Sequence, residues 1–351
     1  MGDNTNKVNG NFKLLKPSKN DIAYLKMGVF GDTGSGKTWT ASNVAVGLHK
    51  HIKSNKPAAF FDTEGGSTFV RPTFEKAGIE LMTIKSRSAN DLHGVIKEAE
   101  RGCSVLIIDS ISHVWDEFTD AYLKKSKSKY IELWDWKPVK TKWREMITEP
   151  YVNADLHIIM CGRESGIYRT EEVEKGGKIR KETLRVGDKM KAEAETGYEP
   201  SLLCQMQKIH IGEKGEYKRR CHVVKERFNV IDSKDFDNPT FNDFLPHIKL
   251  LNIGGSHGHI ANNSTSESFF EGFDYANAEY KRDCEIALEE IQAAFTSNGV
   301  SSRTKDGGQK INKILEQTFG TASWTAIKNK KLDELKKGLP KIMEALSCER
   351  T

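Results

Sequence analysis

"KMGVFGDTGSGKTWTASNVAVGLHKHI", residues 26–52, is the stretch on which the fold turns. An apolar run, "KMGVF", leads directly into "GDTGSGKT", residues 31–38, which fits G-x-x-x-x-G-K-[ST] at every fixed position. A helical pattern begins at once after it. A strand, a glycine-rich turn and a helix in that order are the context this motif needs to bind phosphate. Gly31, Gly34 and Gly36 let backbone N–H groups close around phosphate oxygens. The positive end of the helix faces the same anion. Gly31, Asp32, Thr33, Gly34, Ser35, Gly36, Lys37 and Thr38 are therefore the expected nucleotide loop. Lys37 is expected to reach the outer phosphates and the Thr38 hydroxyl to hold Mg2+. ATP and Mg2+ are the implied cofactors. A glycine-rich turn matching by chance would not be expected to carry both flanking elements.

Two further apolar runs end in acids. "SVLIIDS", residues 104–110, is a strand closing on Asp109, placed to orient Mg2+ beside Thr38. "AAFFDTEGG", residues 58–66, runs into Asp62 and Glu64. Ligands gather at the carboxyl ends of strands in parallel sheets, and a carboxylate there can take the proton of an attacking water. Glu64 is the candidate base, whereas Asp62 reads equally as a turn or helix-capping acid.

The wider pattern is α/β. From about residue 22 to 248, short apolar runs ("LMTIKS", "LHIIMCG", "SLLCQMQKI", "CHVVKERFNV") alternate, in the earlier part, with helical stretches. That alternation implies a mainly parallel sheet. The last two runs, joined by "GEKGEYKRR", read as a hairpin at a sheet edge. In "CHVVKERFNVID", residues 221–232, Lys225 and Arg227 are two apart and so leave one face of a strand. The domain reading is a flexible arm over 1–20, a core over 21–252, a linker over 253–272 and helices over 273–351. The linker is rich in Gly, Ser and Asn. About three helices are expected after it, the first with Ile286, Ile291 and Phe295 as its apolar positions.

Composition is that of a soluble globular chain: 351 residues, 37% hydrophobic and 29% charged, with a mean hydropathy of −0.58. No apolar run approaches a membrane span. The polar N-terminus has no apolar core, so no signal peptide is expected, and Asn6 breaks the myristoylation pattern. Six scattered cysteines form no C-x-x-C pair, which favours free thiols in a reducing cytoplasm over disulfides or zinc. A net charge of +5 permits nucleic acid binding without requiring it.

Taken together, "GDTGSGKT", "DTEGGS", "IDSISHVWDEF", "HIIMCGRES" and "KERF" resemble phage RecA-like P-loop ATPases of the Sak single-strand annealing type, over about residues 22–250. The resemblance implies a RecA-like core and ATP-dependent DNA recombination by a ring or filament of identical subunits. It also implies a catalytic glutamate at Glu64 and a Walker B aspartate at Asp109. Lys225 and Arg227 match a pair of cations that reach the ATP of a neighbouring subunit, and a cation there stabilises charge on the transferring phosphoryl group. A solvent-facing edge strand explains the same charges by protection against aggregation. Where the family carries Asn-Gln as a polar ATP sensor, this chain has Cys161, Gly162, Arg163 and Glu164.

Residues 163–191 hold nine Lys and Arg against six Asp and Glu. In the resembling family the corresponding loop binds single-stranded DNA. Arg169, Lys178, Arg180, Lys181 and Arg185 are the candidate phosphate contacts and Tyr168 a candidate for base stacking. A solvated hairpin of mixed charge is the plain alternative. Trp134, Trp136 and Trp143, interleaved with lysines, read better as core or interface residues. "KRR" at 218–220 contacts DNA or stays hydrated. The C-terminal helices suggest a docking module for DNA or for a partner such as a single-strand binding protein; a bundle without such a role reads equally well. Two functions follow: a DNA-stimulated ATPase that anneals or exchanges strands, or a nucleotide-gated loader that acts on a protein partner without touching DNA. A small-molecule kinase fits poorly, because no lid segment is evident.

Overall fold

The computed structural model describes residues 14–175, 178–212, 215–259, 266, 275–302 and 304–348. Most of the expected N-terminal arm, residues 1–13, and most of the expected linker lie outside the described residues. The chain divides into two units, Met1–Ala261 and Asn262–Thr351.

In the first unit, β1 (Lys26–Gly31) and α1 (Lys37–His51) flank the glycine-rich loop. There follow β2 (Ala58–Asp62), α2 (Ser67–Lys76), β3 (Leu81–Lys85), α3 (Ala89–Gly102), β4 (Val105–Asp109) and α4 (Ile111–Ser126). α5 (Trp136–Trp143) and α6 (Glu149–Asn153) lead into β5 (His157–Lys175), on which β6 (Lys178–Met190) folds back. β7 (Leu202–Ile211), β8 (Glu216–Glu226), β9 (Asp235–Asp237) and α7 (Phe241–Ile248) complete the unit. The strands lie in the order β3-β2-β4-β5-β1-β7-β8-β9, with β6 paired to β5 off this path. Every pairing from β3 to β7 is parallel, whereas β8 and β9 are antiparallel additions.

Period-two alternation splits each central strand between two cores. Met27, Val29, Phe60, Val105, Ile107 and Ile159 pack with Ala41, Val44 and Leu48 of α1, Phe74 of α2 and Phe244 of α7. Phe30, Phe61, Leu106, Ile108, Ile158 and Met160 pack on the other face with Leu92 and Ile96 of α3, Trp143 and Tyr151. Helices cover both faces, which is why these strands read as unbroken apolar runs. The carboxyl ends of β1, β2, β4 and the first part of β5 consequently meet along one edge of the sheet.

Several expectations change. The β7–β8 hairpin is not the sheet edge, because β9 pairs with Arg220–His222 of β8. The strand expected to run to Val230 stops at Glu226. The buried Glu226 carboxylate accepts hydrogen bonds from the N–H groups of Phe228 (2.7 Å), Val230 (2.6 Å) and Ile231 (3.2 Å) and wraps the chain around itself. Asn229 takes the left-handed turn this needs, with φ of 59°. The start of the expected linker packs on the core: Gly258 donates a backbone hydrogen bond to the Asp21 carbonyl. Trp143 is fully buried, as a core residue, while Trp134 is exposed.

The second unit contains α8 (Tyr275–Ser297), α9 (Lys305–Phe319), the one-turn α10 (Trp324–Lys328) and α11 (Leu332–Cys348). Ile291, Phe295, Ile314, Leu315, Ile327, Leu335, Ile342 and Leu346 form its core. Thr304 and Ser323 cap α9 and α10 by accepting from Gly307 N–H and Ala326 N–H. Ile286, expected inside, is 38% exposed; Ala287 and Leu288 take the inner positions. Among the described residues no helix is long and apolar enough to cross a membrane.

Candidate functional site

The loop after β1 is shaped by close approach. A Cβ on Gly31 would stand 2.1 Å from the Met206 carbonyl oxygen of β7. Gly36 has φ of 97°, and a Cβ there would stand 2.3 Å from Cδ of Arg219. Lys37 Nζ donates to the carbonyls of Gly31 (2.9 Å) and Asp32 (2.8 Å), so its ammonium lies over the loop. The Thr38 hydroxyl donates to Asp109 Oδ2 at 2.5 Å. Burial pushes the Asp109 carboxyl above its ordinary range, and the Thr38 hydrogen bond offsets this only in part. A hydroxyl and a buried carboxylate side by side are hard oxygen donors suited to Mg2+. Among the described residues no group of three or more His, Cys, Asp or Glu is placed to hold a metal. Two protein oxygens and a share of phosphate oxygens is the way Mg2+ is usually held at nucleotide sites, so the residues fit the ion.

Asp62 and Glu64 have different surroundings. Asp62 Oδ1 accepts from the N–H groups of Glu64 (3.1 Å), Gly65 (2.6 Å) and Gly66 (3.0 Å). Its Oδ2 accepts from the Ser67 N–H (3.0 Å) and hydroxyl (2.5 Å). Burial alone would raise this carboxyl, but the Ser67 bonds and the backbone donors outweigh it and hold Asp62 below the ordinary range. Asp62 is thus the turn acid that holds the segment leading into α2, whose N-cap position is Gly66. Glu64 instead projects into the cleft. Its Oε1 accepts from Arg163 Nη2 at 3.0 Å and Nε at 3.2 Å, and lies 3.5 Å from His113 Nδ1. Burial, then the nearby Arg163, pushes His113 below its ordinary value, which favours a neutral ring.

Lys37, Thr38, Glu64, Asp109 and Arg163 line one cleft of about 580 Å³, together with Trp39, Gly66, Phe69, Val70, Glu164 and Arg219. Arg163 stands where β5 leaves the sheet. Its N–H donates to Ser112 Oγ at 2.8 Å, and its carbonyl accepts from the Lys191 N–H at 2.7 Å. From that point β5 and β6 run out as a two-stranded antiparallel ribbon. The polar segment 163–191 is therefore a hairpin rooted at the cleft.

The ribbon carries the expected DNA contacts unevenly. Tyr168 is 64% exposed and pairs in register with Arg185. Arg169 and Lys181 are exposed. Arg185 is committed to Glu164 at 2.8 Å and to Asp188. The side chains of Lys178 and Arg180 lie outside the described residues. Lys225 and Arg227 are not brought to this cleft. Lys225 pairs with Leu203, which pairs with Gly28 near the start of β1, so both cations sit towards the other end of the sheet. Each donates to the Tyr198 carbonyl. Burial, then Arg227, lowers the Lys225 ammonium from its ordinary value.

Sequence reasoning did not assign Arg219 to the cleft, because "KRR" gave no way to separate three adjacent cations. Strand parity does so. Lys218 and Arg220 pair with Asp237 across the sheet, the latter at 3.0 Å, while Arg219 turns the other way over Gly36. The acids that sort them, Asp235 and Asp237, were visible in the sequence, but their pairing with β8 was not.

A family model for the AAA domain matches residues 23–210, just over half of the chain. The match runs from just before β1 to near the end of β7 and includes the Gly31–Thr38 loop, Glu64 and Asp109. No curated protein matches the chain. The phosphate loop between β1 and α1, the Asp109–Thr38 contact and the extent of that match lead to one conclusion: the chain belongs to the AAA domain family of P-loop ATPases.

Proposed function

We propose that this protein is an ATP-binding, Mg2+-dependent ATPase that binds single-stranded DNA and promotes annealing or strand exchange, working as a ring or filament of identical subunits in the cytoplasm. The observation that carries it is the Glu64–Arg163 pair, which joins the residue aimed at the attacking water to the root of the β5–β6 ribbon. Lys37 neutralises the outer phosphates, and Thr38 and Asp109 supply the oxygens for Mg2+, whose charge draws electron density from the phosphoryl group when bound. Glu64 takes a proton from water as its oxygen attacks the terminal phosphorus and the bond to the bridging oxygen breaks. While Glu64 Oε1 accepts two hydrogen bonds from Arg163, that oxygen is occupied and not free to take a proton from water. Displacement of Arg163 by DNA on the ribbon raises hydrolysis. The resemblance to phage annealing ATPases supports the same reading.

Lys225 and Arg227 support the oligomer. They lie away from their own cleft and both donate to the Tyr198 carbonyl; in this reading they serve a neighbour's nucleotide. Mixing Arg227→Ala subunits with Lys37→Ala subunits tests this: hydrolysis is expected to recover in the mixture, and complete failure to recover contradicts it.

The DNA reading is tested by anisotropy of a labelled oligonucleotide at low salt. Wild type should bind, and Arg169→Glu with Lys181→Glu should weaken binding about tenfold or more. The internal pairing of Arg185 favours the second reading, a nucleotide-gated loader acting on a protein. Unchanged DNA affinity in the ribbon variant would support that reading instead.

A further inference from the structure

The cleft has two ends set by the strand order. Asp109 ends β4 and Glu64 follows β2, on the β5 side of β1; Arg219 comes from β8, on the β7 side. In the reading proposed above, the terminal phosphate and Mg2+ lie towards Asp109 and Glu64. The nucleoside end of the ligand then points towards β8. The loop N–H groups that cradle the inner phosphates belong to the residues around Gly36–Thr38, and Gly36 is the residue against which Arg219 lies, its would-be Cβ 2.3 Å from Cδ and 2.8 Å from Nε.

Three observations bear on what Arg219 does there. It lines the cleft. Its Nε is shielded from solvent and has no hydrogen-bond partner among the described residues. Its strand neighbours Lys218 and Arg220 are each neutralised by acids of β9, and among the described residues Arg219 has no ion pair. The Tyr217 ring, 5.2 Å from the guanidinium carbon, and the Arg219 N–H bond to Asn238 Oδ1 at 3.0 Å hold the residue in place. A shielded donor left without a partner costs free energy comparable to a lost hydrogen bond, and Arg219 lies over Gly36 of the loop expected to cradle phosphate. A guanidinium fork is suited to such an anion.

We propose that Arg219 is a nucleotide-binding residue acting within its own subunit, its guanidinium pairing with the inner, α-phosphate of a bound nucleoside di- or triphosphate. This rests on the ATP-binding reading. It differs from a phosphoryl-transfer role in that the α-phosphate is present before and after hydrolysis. Arg219 then supports ATP and ADP equally and slows product release as much as it aids capture.

Calorimetric titration of wild type, Arg219→Ala and Arg219→Lys with ADP and with a non-hydrolysable ATP analogue tests it. Arg219→Ala is expected to weaken both ligands alike, by about tenfold, and Arg219→Lys to restore part of the loss through its charge. The KM for ATP should rise by a larger factor than kcat falls. A loss confined to the triphosphate, or a fall in kcat with unchanged affinities, would place Arg219 on the transferring phosphoryl group and overturn the proposal. Lysine no better than alanine would overturn it in favour of packing. Wild-type binding unaffected by either substitution would overturn this inference alone, whereas absence of ADP and ATP-analogue binding by wild type would overturn the ATP-binding reading with it.

Discussion

Asp62 and Glu64 stand two residues apart and have opposite surroundings. Five hydrogen bonds consume the Asp62 carboxylate. Asp62→Ala removes a buried charged acceptor from the turn before α2, and should lower stability by about 2–3 kcal/mol, read from urea unfolding. Glu64 makes only side-chain contacts in the cleft, so Glu64→Gln should leave the fold intact. It should lower kcat by about a hundredfold or more while nucleotide binding persists; unchanged turnover would remove Glu64 from the role of base. Lys37→Ala should abolish nucleotide-dependent behaviour, and retained hydrolysis would refute the site.

At the scale of elements, what was legible in the sequence was what is local. The β1–loop–α1 unit was readable because its turn chemistry, strand and helix lie within 27 consecutive residues. β2 and β4 were readable because burial on both faces leaves an unbroken apolar run ending in an acid. The course of β8 was not. Its end at Glu226 depends on a carboxylate that also accepts from His247 Nδ1 at 2.6 Å, twenty-one residues on, and the placing of Arg219 depends on β9. Likewise the segment 163–191 showed its charges but not that β5 would carry them out from the cleft as a ribbon, because that follows from cross-strand register. The Glu226–His247 pair is buried with Ser201 Oγ 3.2 Å from His247 Nε2, and it ties β7, β8 and α7 together. Burial would raise the Glu226 carboxyl, but His247 and three backbone N–H groups hold it below its ordinary range. Glu226→Ala should therefore destabilise the unit by about 3 kcal/mol, since it strands those donors in the core; a loss below about 1 kcal/mol in the unfolding midpoint analysis would mean that water replaces the carboxylate.

For the molecule as a whole, buried histidines contribute to the response to acid between about pH 7 and pH 5. Burial, then Lys26, lowers His157 to about 3, and its Nδ1 accepts the Leu25 N–H at 2.9 Å, which requires an unprotonated ring. Burial lowers His49 and His247 as well. In the unfolded chain these rings take up protons below about pH 6.5, while the folded chain keeps His157 neutral down to about pH 3. The unfolded state then binds more protons, and stability falls as pH drops. Between pH 7 and pH 5 the His157 contribution alone is about 2 kcal/mol, and a urea midpoint that does not move over that interval would contradict the burial of its neutral ring. In the function proposed above, the cleft and the ribbon act together, with Arg163 holding Glu64 until DNA draws it away. The most direct measurement is the rate of ATP hydrolysis with and without single-stranded DNA at low salt. The account predicts a rate that rises several-fold with DNA, and a rise that disappears in Arg169→Glu with Lys181→Glu. A rate indifferent to DNA, or stimulation that survives the ribbon substitutions, would contradict it.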